Sequence, residues 1–469
     1  MKADPHPLGT SVDTIAAPIT AHGRAGVAVV RISGPLAAPV LAQISPRASL
    51  ITAQPRTLVM TPFLEGQITG ADHVLDYGLA AYFPAPNSFT GEDCVELNLH
   101  GSPYLVTRLM SILAELGVRS AKPGEFSERA FLNGKLDLSQ AEAIADLIAA
   151  DTEIQARVAR EQLEGRLSKA LSDLGEPLRN LLAEIEAHID FPDEDIEPLT
   201  YSEWTSALRA IEGQIEAYLR SFAYGRLCRE GALVVLAGVP NAGKSSLLNR
   251  LLGEDRAIVT AVPGTTRDSI EEPASLGGLR VRFCDTAGLA TEHRTPDEVE
   301  QLGIERSWKK LTQADLVLYV FDISTGLDAE LDIVEGVRQS ARKVMLVANK
   351  ADLVSNAGAG NLPSGSDARL VSAQNGEGIA QLADAIVAEL LGDDAQSDAL
   401  LITNQRHFEA LRGADRALKD ALVALQSSTP AEFVAVDLRA ALGALEEIIG
   451  STPTEDILGR IFSKFCIGK

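Results

Sequence analysis

The sequence has 469 residues, which excludes a single small domain and predicts about three domains. Its net charge of −23, from 42 basic and 65 acidic residues, excludes a general polyanion binder unless the charge is unevenly placed. It is uneven, because residues 141–400 carry about −20 of the total. The four cysteines form no CxxC pair, which argues against a disulfide framework and a zinc site and is typical of a reducing cytosol.

Hydropathy indicates neither secretion nor membrane insertion. Residues 1–9 lack the apolar core of a signal peptide. No apolar run approaches the ~18 residues that are needed to cross a bilayer. We therefore predict a cytoplasmic protein without a membrane partner.

Residues 1–135 are predicted to form a mixed α/β domain. Strand-like runs lie at 27–32, 77–83 and 94–99, and helical periodicity follows at 104–116. Proline and glycine residues separate these runs, most densely at 83–87.

Apolar stripes at helical spacing predict two helical blocks, at 136–229 and 397–469. The first block has stripes over 138–189 and 204–222, separated by a proline and an acidic patch. The second block has stripes over 401–449. Each block alone is short for an independent core, so we expect both to form one discontinuous bundle. Two separate small helical domains are the alternative.

Residues 230–396, between the blocks, are predicted to form an inserted α/β domain. Short apolar strands are expected at 233–236, 281–284, 316–321, 344–347 and 370–371, in alternation with helices. This order is typical of a doubly wound parallel sheet. The predicted fold class is therefore multidomain, with two α/β domains and one helical bundle.

Residues 238–245 read GVPNAGKS and match GxxxxGK[ST], the phosphate-binding loop. An apolar strand precedes the loop and a helix follows it, so backbone N–H groups can surround a β-phosphate. Lys244 is expected to neutralise β- and γ-phosphate oxygens, and Ser245 to offer its hydroxyl to Mg²⁺. A chance glycine loop, the alternative, is disfavoured by this context.

Two motifs near the end of this domain favour guanine over adenine. Asn349, Lys350 and Asp352 belong to an NKAD sequence after a strand. The Asp352 carboxylate can accept hydrogen bonds from guanine N1–H and N2–H₂, an edge that adenine lacks. Ser372 and Ala373 follow the last strand, where a backbone N–H can meet guanine O6.

Two further segments are placed to respond to the γ-phosphate. Asp285 can hold Mg²⁺ through water, and the Gly288 N–H can reach the γ-phosphate. Residues 260–268 contain threonines, one of which can complete the Mg²⁺ shell when GTP is bound. A Ras-like enzyme would place a water-orienting Gln where this chain has Ala290, so another group must assist hydrolysis. The downstream candidates are Glu298, Glu300 and Glu305.

Several longer segments closely resemble the MnmE (TrmE) family of tRNA-modification GTPases, essentially from end to end. They are VRISG at 30–34, NSFTGED at 87–93, PGEFSERAFLNGKLD at 123–137, IDFPDED at 189–195, GTTRD at 264–268 and LGRIFSKFCIGK at 458–469. The phosphate motifs alone would indicate only a GTPase, whereas the segments near both ends are specific to this family.

The resemblance implies an N-terminal folate-binding domain that mediates homodimerisation, and a Ras-like G domain inserted in a helical domain. It implies a K⁺-activated GTPase that acts with the flavoprotein MnmG as a heterotetramer. The implied reaction adds an aminomethyl or carboxymethylaminomethyl group at C5 of the wobble uridine in certain tRNAs. The implied one-carbon donor is 5-formyl- or methylene-tetrahydrofolate.

The motifs and the resemblance together assign the residues of the nucleotide site. The predicted GTP contacts are Asn241, Ala242, Gly243, Lys244, Ser245, Ser246, Thr260, Thr265, Thr266, Asp285, Gly288, Asn349, Lys350, Asp352, Ser372 and Ala373. The implied Mg²⁺ ligands are Ser245 and Thr266, and the implied K⁺ ligands are Asn241, Thr260, Val262 and Thr265. A fixed K⁺ can neutralise transition-state charge as an arginine finger does. Lys244 and Glu300 are the implied catalytic residues, Glu300 as the group that orients water.

The resemblance implies a folate site at Arg31, Glu96, Lys135 and Lys469. Cations suit the glutamate tail of a folate, and a carboxylate such as Glu96 suits the amidine-like edge of its pterin. Cys466 matches a cysteine that the family is thought to need for modification. A role as a small buried hydrophobic residue is the alternative for this thiol.

Two other functions remain open on the sequence. One is a regulatory GTPase of ribosome assembly, whose additional domains serve only for binding. The other is a folate-dependent methyltransferase with a vestigial G domain, which the intact phosphate motifs oppose. The N-terminal segments and the CIGK end favour the tRNA-modifying GTPase.

Overall fold

The structure is a computed structural model that describes residues 13–65, 73–190, 201–254, 271–286, 307–354, 367–392, 400–427, 429–451 and 455–469. The chain divides into two compact units. Unit 1 comprises Met1–Ala145, Gln162–Glu176 and Leu442–Lys469, and unit 2 comprises Asp146–Glu161 and Pro177–Ala441. Within the described ranges, no helix is both long and apolar enough to cross a membrane.

Unit 1 contains a six-stranded sheet in the order β3-β4-β5-β2-β1-β6. The strands are β1 (Ile15–Pro18), β2 (Ala25–Ser33), β3 (Val59–Leu64), β4 (Val74–Phe83), β5 (Cys94–Gly101) and β6 (Arg119–Ser120). The predicted strands correspond to β2, β4 and β5. We did not predict β1, β3 and β6, because β1 and β6 are very short and β3 contains a proline, a residue that weakens a strand pattern.

The two faces of this sheet have different surroundings. The helices are α1 (Ala37–Ile44), α2 (Ala48–Ala53), α3 (Pro103–Glu115) and α4 (Glu125–Leu132). Val30 and Ile32 of β2 pack into the core that α1, α2 and α3 cover. Arg31 lies between them and points to the opposite face, because side chains alternate along a strand. Its guanidinium carbon there lies 5.7 Å from the ring of Phe126 in α4.

The helical part of the chain has the bounds α5 (Leu138–Ala149), α6 (Glu153–Leu163), α7 (Arg166–Asp190) and α8 (Tyr201–Glu230). Three further helices, α12 (Gln405–Gln426), α13 (Ala431–Ile449) and α14 (Glu455–Phe462), come from the end of the chain. In unit 2 the rings of Phe222 on α8 and Phe408 on α12 stack at 4.3 Å. Arg439 on α13 donates to Glu186 on α7 at 2.9 Å. The two sequence blocks therefore contact each other, while the domain boundaries stay a prediction.

Unit 2 also contains a six-stranded sheet, in the order β12-β11-β10-β7-β9-β8. Its strands are β7 (Ala232–Ala237), β8 (Glu271–Leu276), β9 (Leu279–Asp285), β10 (Leu316–Asp322), β11 (Val344–Asn349) and β12 (Arg369–Leu370). The helices α9 (Lys244–Glu254), α10 (Leu331–Ser340) and α11 (Ile379–Leu391) accompany it. Buried clusters on both faces enclose the strands, as in a doubly wound fold. The predicted fold class is confirmed.

Two details of this sheet differ from the prediction. The edge strand β8 is antiparallel to β9, so the sheet is not wholly parallel. Only Gly277 and Gly278 separate the two strands, and both have positive φ, which is typical of a tight hairpin. As an edge strand, β8 is only partly buried, so its sequence EEPASL does not need the continuous apolar run of a central strand. The last strand, β12, lies one residue earlier than we predicted.

Candidate functional site

The phosphate-binding loop joins the end of β7 to the start of α9, as its sequence predicts. Gly238 has φ +142, and a Cβ there would lie 2.1 Å from the Val320 carbonyl oxygen. Gly243 has φ +91, and a Cβ there would lie 2.3 Å from the Asn349 side-chain nitrogen. Both positions therefore require glycine, because the loop passes so close to its neighbours.

Lys244 lies in the first turn of α9 and is 8% exposed. Its ammonium donates to the backbone oxygens of Gly238 at 3.0 Å and Val239 at 2.9 Å. Burial lowers the pKa of Lys244, although the charges of Asp285 and Glu330 oppose that shift. The cation is thus held against the loop, where a phosphate group could replace its neutral carbonyl partners.

A candidate magnesium site lies beside Lys244. The Ser245 hydroxyl donates to Asp285 Oδ2 at 2.6 Å, which joins the start of α9 to the end of β9. The other carboxylate oxygen, Asp285 Oδ1, is buried without a hydrogen-bond partner among the described residues. A hydroxyl and a carboxylate are oxygen ligands of the kind that Mg²⁺ prefers. The residues present therefore fit the expected ion, which would neutralise phosphate charge when bound.

The guanine-recognition segments meet at the same edge of the sheet, because they follow parallel strands. The Asn349 amide donates to the Ala242 carbonyl at 2.9 Å, and its oxygen accepts from the Ala373 N–H at 3.1 Å. Asn349 thus connects the phosphate loop with the segment after β12.

Asp352 is exposed, and one of its carboxylate oxygens accepts a hydrogen bond from the buried Ser372 hydroxyl. The adjacent Lys350 has a positive φ of +66 and forms an ion pair with Asp322 at 2.7 Å. Burial acts to raise the pKa of Asp322, but hydrogen bonds from Lys350 and Ser324 hold it below its ordinary value. We did not predict this role of Asp322; the signal in the sequence is an aspartate that ends β10.

The other predicted residues of this site are placed as follows. Asn241 is exposed with φ +69, and Ser246 is exposed on α9. Thr260, Val262, Thr265, Thr266, Gly288 and Glu300 lie outside the described residues. The structure therefore brings together the phosphate and guanine residues, and it does not test the implied K⁺ ligands other than Asn241.

A second candidate site lies in unit 1, where Arg31 and Glu96 are direct cross-strand partners on β2 and β5. The Arg31 guanidinium donates to one Glu96 oxygen from two nitrogens, at 2.8 and 3.1 Å. The guanidinium carbon lies 4.8 Å from the Phe89 ring and 5.7 Å from the Phe126 ring. An ion pair between aromatic rings suits a flat, charged ligand.

The remaining implied folate residues lie around the same elements. The Lys135 ammonium donates to the Pro86 carbonyl at 3.1 Å, in the loop that leads to Phe89. A main-chain oxygen of Lys469 accepts a hydrogen bond from the Phe126 N–H at 3.1 Å. Arg31 and Lys469 therefore both lie near Phe126, while Lys135 contacts the loop that leads to Phe89.

The segment that contains Lys469 is closely fitted to unit 1. Gly468 has φ +99, and a Cβ there would lie 2.2 Å from the Pro18 carbonyl oxygen. Ile467 forms a β-bridge with Pro123. Cys466 is exposed, whereas Cys94, Cys228 and Cys284 are buried, so a buried hydrophobic role does not describe Cys466.

An ion cluster around the buried Arg129 supports these elements, and sequence reasoning missed it. Arg129 on α4 is 4% exposed and contacts Asp13 at 2.7 Å, Glu92 at 3.1 Å and Glu125 at 3.1 Å. Arg119 pairs with Asp13 and Glu125. Burial acts to raise the pKa of Asp13 and of Glu125, but the two arginines hold both below their ordinary values. Most of these charges are far apart in the sequence, so their pairing cannot be predicted from it. The exception is the pair of Arg129 and Glu125, which lie one helical turn apart.

The fold and the first site together define a class of protein. A doubly wound sheet with a phosphate-binding loop, a carboxylate beside its serine and an NKxD segment is a guanine-nucleotide-binding domain of the P-loop type.

Comparison with known proteins gives the particular family. Residues 138–466 match the family model described as the MnmE helical domain, and residues 14–135 match the GTP-binding protein TrmE N-terminus. A tRNA modification GTPase MnmE of Marinomonas sp. (strain MWYL1) is 42% identical over 98% of this chain and 98% of its own length. One of Pseudomonas fluorescens (strain Pf0-1) is 44% identical over 97% of this chain and 99% of its own length.

The chain therefore belongs to the MnmE family of tRNA modification GTPases. Among solved structures, a variant of Aquifex aeolicus Era bound to GDP·AlF4⁻ is similar to part of this chain. The match covers 40% of this chain and 66% of the Era chain, with 25% identity and a TM-score of 0.28. The assignment rests on the sequence matches, which extend over both units.

Proposed function

We propose that this GTPase is K⁺-activated and acts with the flavoprotein MnmG on the wobble uridine of certain tRNAs. The product carries an aminomethyl or carboxymethylaminomethyl group at C5, and a tetrahydrofolate derivative supplies one carbon. The observation that carries the proposal is the match to MnmE relatives over nearly the whole chain, including both candidate sites.

The phosphate and guanine subsites support the hydrolytic part. Lys244 and Ser245 lie where β- and γ-phosphate oxygens and Mg²⁺ would bind, and Asp285 offers a buried oxygen without a protein partner in the described part of the chain. Asp352 presents its carboxylate to solvent, where guanine could reach it. K⁺ would then complete the charge neutralisation, with Asn241 as one ligand.

The Arg31–Glu96 pair supports the folate part. A cation and a carboxylate between two aromatic rings match the acidic tail and the pterin edge of a folate. Lys135 and Lys469 add positive charge from the loop and the last segment. Cys466 is exposed next to that segment and is available as the functional thiol.

The proposed partners are a second copy of this chain, MnmG and tRNA, in the cytoplasm. The charge of −23 makes this chain alone a poor binder of tRNA, so we expect much of the electrostatic attraction to come from MnmG. Tight and salt-sensitive tRNA binding by the isolated protein would contradict this division of roles.

The proposal is tested by GTP turnover in K⁺ and in Na⁺, with and without MnmG. We expect K⁺ to stimulate turnover well above Na⁺, and deletion of the gene to remove the C5 modification from tRNA nucleosides. Equal rates in both salts would remove the K⁺ role. An unchanged C5-modified uridine after deletion would remove the tRNA role and favour a regulatory GTPase.

Glu300→Ala tests the proposed water-orienting residue. We expect GTP binding to persist and hydrolysis to fall by about a hundredfold, because the attacking water loses its acceptor. Glu298→Ala, in the same segment, is the matched control, with hydrolysis retained. Wild-type hydrolysis in Glu300→Ala would show that a different group orients the water.

A further inference from the structure

Arg250, two turns into α9, contacts the segment that follows β12. Its guanidinium donates to the Gln374 carbonyl at 2.7 Å and to the Ala373 carbonyl at 3.4 Å. Neither the phosphate-loop motif nor the guanine motifs include this arginine. The contact joins the helix of one subsite to the backbone of the other.

The segment 372–377 forms a compact loop around these carbonyls. The Ser372 N–H donates to the Glu377 carbonyl at 2.9 Å, and the Gly376 N–H donates to the Ser372 carbonyl at 2.9 Å. Gly376 has φ +90, and a Cβ there would lie 3.6 Å from the guanidinium carbon of Arg250. The loop therefore packs directly on the arginine, which acts as its outer support.

Ala373 is held from two sides. Asn349 accepts its N–H at 3.1 Å, and Arg250 donates to its carbonyl. The two contacts restrict both peptide groups of Ala373. Since a charged donor forms stronger hydrogen bonds than a neutral one, the 2.7 Å bond from Arg250 to the next carbonyl, that of Gln374, is its stronger contribution to this restriction.

We propose that Arg250 is a positioning residue for guanine recognition, because it sets the loop of residues 372–377, of which a backbone N–H meets guanine O6. The inference rests on the proposed placement of guanine beside Asp352 and Ala373. Lys244 and Arg250 lie on one helix about 9 Å apart along its axis, so the phosphate and base subsites are rigidly connected.

The experiment compares two diphosphates that share their phosphate groups and differ in the base. GDP has O6 and N1–H, whereas 2-aminopurine riboside diphosphate lacks both and keeps the 2-amino group, so the preference for GDP reports how well this edge of guanine is recognised. In Arg250→Ala we expect GDP affinity to fall about tenfold, while affinity for the 2-aminopurine nucleotide stays within about twofold. The preference for GDP then falls about fivefold or more, measured by calorimetry or by competition with a fluorescent nucleotide.

Three further measurements make the result specific. Arg250→Lys should recover part of the preference, because an ammonium can reach one carbonyl. Arg338→Ala removes an exposed arginine on α10 and should leave both affinities unchanged. Thermal unfolding with each nucleotide confirms that the variants are folded.

Three outcomes would overturn the inference. Unchanged affinities for both nucleotides in Arg250→Ala would remove the positioning role, and an equal loss of affinity for both would show a general structural role. A wild-type chain without a preference for GDP would refute the placement of guanine itself, and the inference with it.

Discussion

The two candidate sites are assembled in opposite ways. In unit 2, each functional segment directly follows a parallel strand, so the sheet collects them at one edge. In unit 1, Arg31 and Glu96 come from paired strands, Lys135 follows a helix and Lys469 belongs to a distant segment. A site whose segments each follow a strand is visible in the sequence as compact motifs. A site whose residues come from separate parts of the chain is visible there only as isolated charged residues.

The sites also differ in how their cations are balanced. Lys244 donates to neutral carbonyl oxygens and forms no ion pair among the described residues. Arg31 is already paired with Glu96. A phosphate can therefore bind Lys244 without displacing a carboxylate, while an acidic ligand at Arg31 must share the guanidinium with Glu96. We expect the first site to bind its ligand more tightly.

Lys244→Ala should separate the two sites most strongly. Removing a buried charge that meets phosphate costs about 2–5 kcal/mol, so we expect GTP and GDP affinity to fall roughly a thousandfold. Folate binding should be unchanged, and Lys309→Ala, which removes an exposed lysine of unit 2, should affect neither ligand. Calorimetric titration with both ligands measures this, and retained GTP binding would contradict the assigned role.

Asp352→Asn sharpens the comparison within unit 2. The amide can no longer accept both guanine N–H groups, so the preference for GTP over XTP should fall by about a hundredfold. Asp332→Asn, on the exposed surface of α10, serves as the control. Competition binding with both nucleotides is the measurement. An unchanged GTP/XTP ratio would rule out base recognition by Asp352.

Gly468→Ala should affect unit 1 alone. The added Cβ would meet the Pro18 carbonyl oxygen, and its φ of +99 is strained for alanine, which costs about 1–3 kcal/mol. Lys469 should shift away from Phe126, and affinity for 5-formyltetrahydrofolate should fall roughly ten- to a hundredfold, with GTP hydrolysis unchanged. Gly459→Ala has open space around its Cβ and is the matched control. Equal folate affinity in both variants would place the folate away from this segment.

Arg129→Met tests the support of the unit 1 site. The variant leaves Glu92, Glu125 and Asp13 without their buried cation, and loss of one partner of a buried pair costs about 3–5 kcal/mol. Calorimetric unfolding should therefore show a lower midpoint for unit 1. GDP should raise the unfolding midpoint of unit 2 and thereby identifies the transition of that unit. The control is Arg24→Met, at an exposed position.

The effect of Arg129→Met should depend on pH in a defined direction. The lowered pKa values of Asp13 and Glu125 stabilise the wild type above their unfolded values, and that stability is lost as pH falls through the folded values. In the variant those pKa values rise, so the carboxylates of Asp13 and Glu125 are protonated at a higher pH, which relieves the repulsion between them. The difference between the unit 1 unfolding midpoints of the wild type and of Arg129→Met should be largest near pH 7 and should narrow toward pH 4. A constant gap would show that packing, not charge, explains the loss.

Sequence reasoning was most complete for the regular elements with strong periodicity. It predicted β7, β9, β10 and β11 and the long helices, because buried parallel strands form continuous apolar runs and amphipathic helices form stripes. It missed β8, a half-exposed edge, and the ion cluster of Arg129. Such features depend on which segments become neighbours, and local spacing carries no record of that.

The sequence by itself determined the nucleotide motifs, the fold class and the family, since each leaves its signal in contiguous residues. Only the tertiary structure decided that Arg31 pairs with Glu96, that Lys469 lies against Phe126, and that Arg250 supports the loop of Ala373. These contacts join residues 65, 343 and 123 positions apart. At such separations, chain connectivity imposes almost no distance constraint, so the packing of sheets and helices selects the partners.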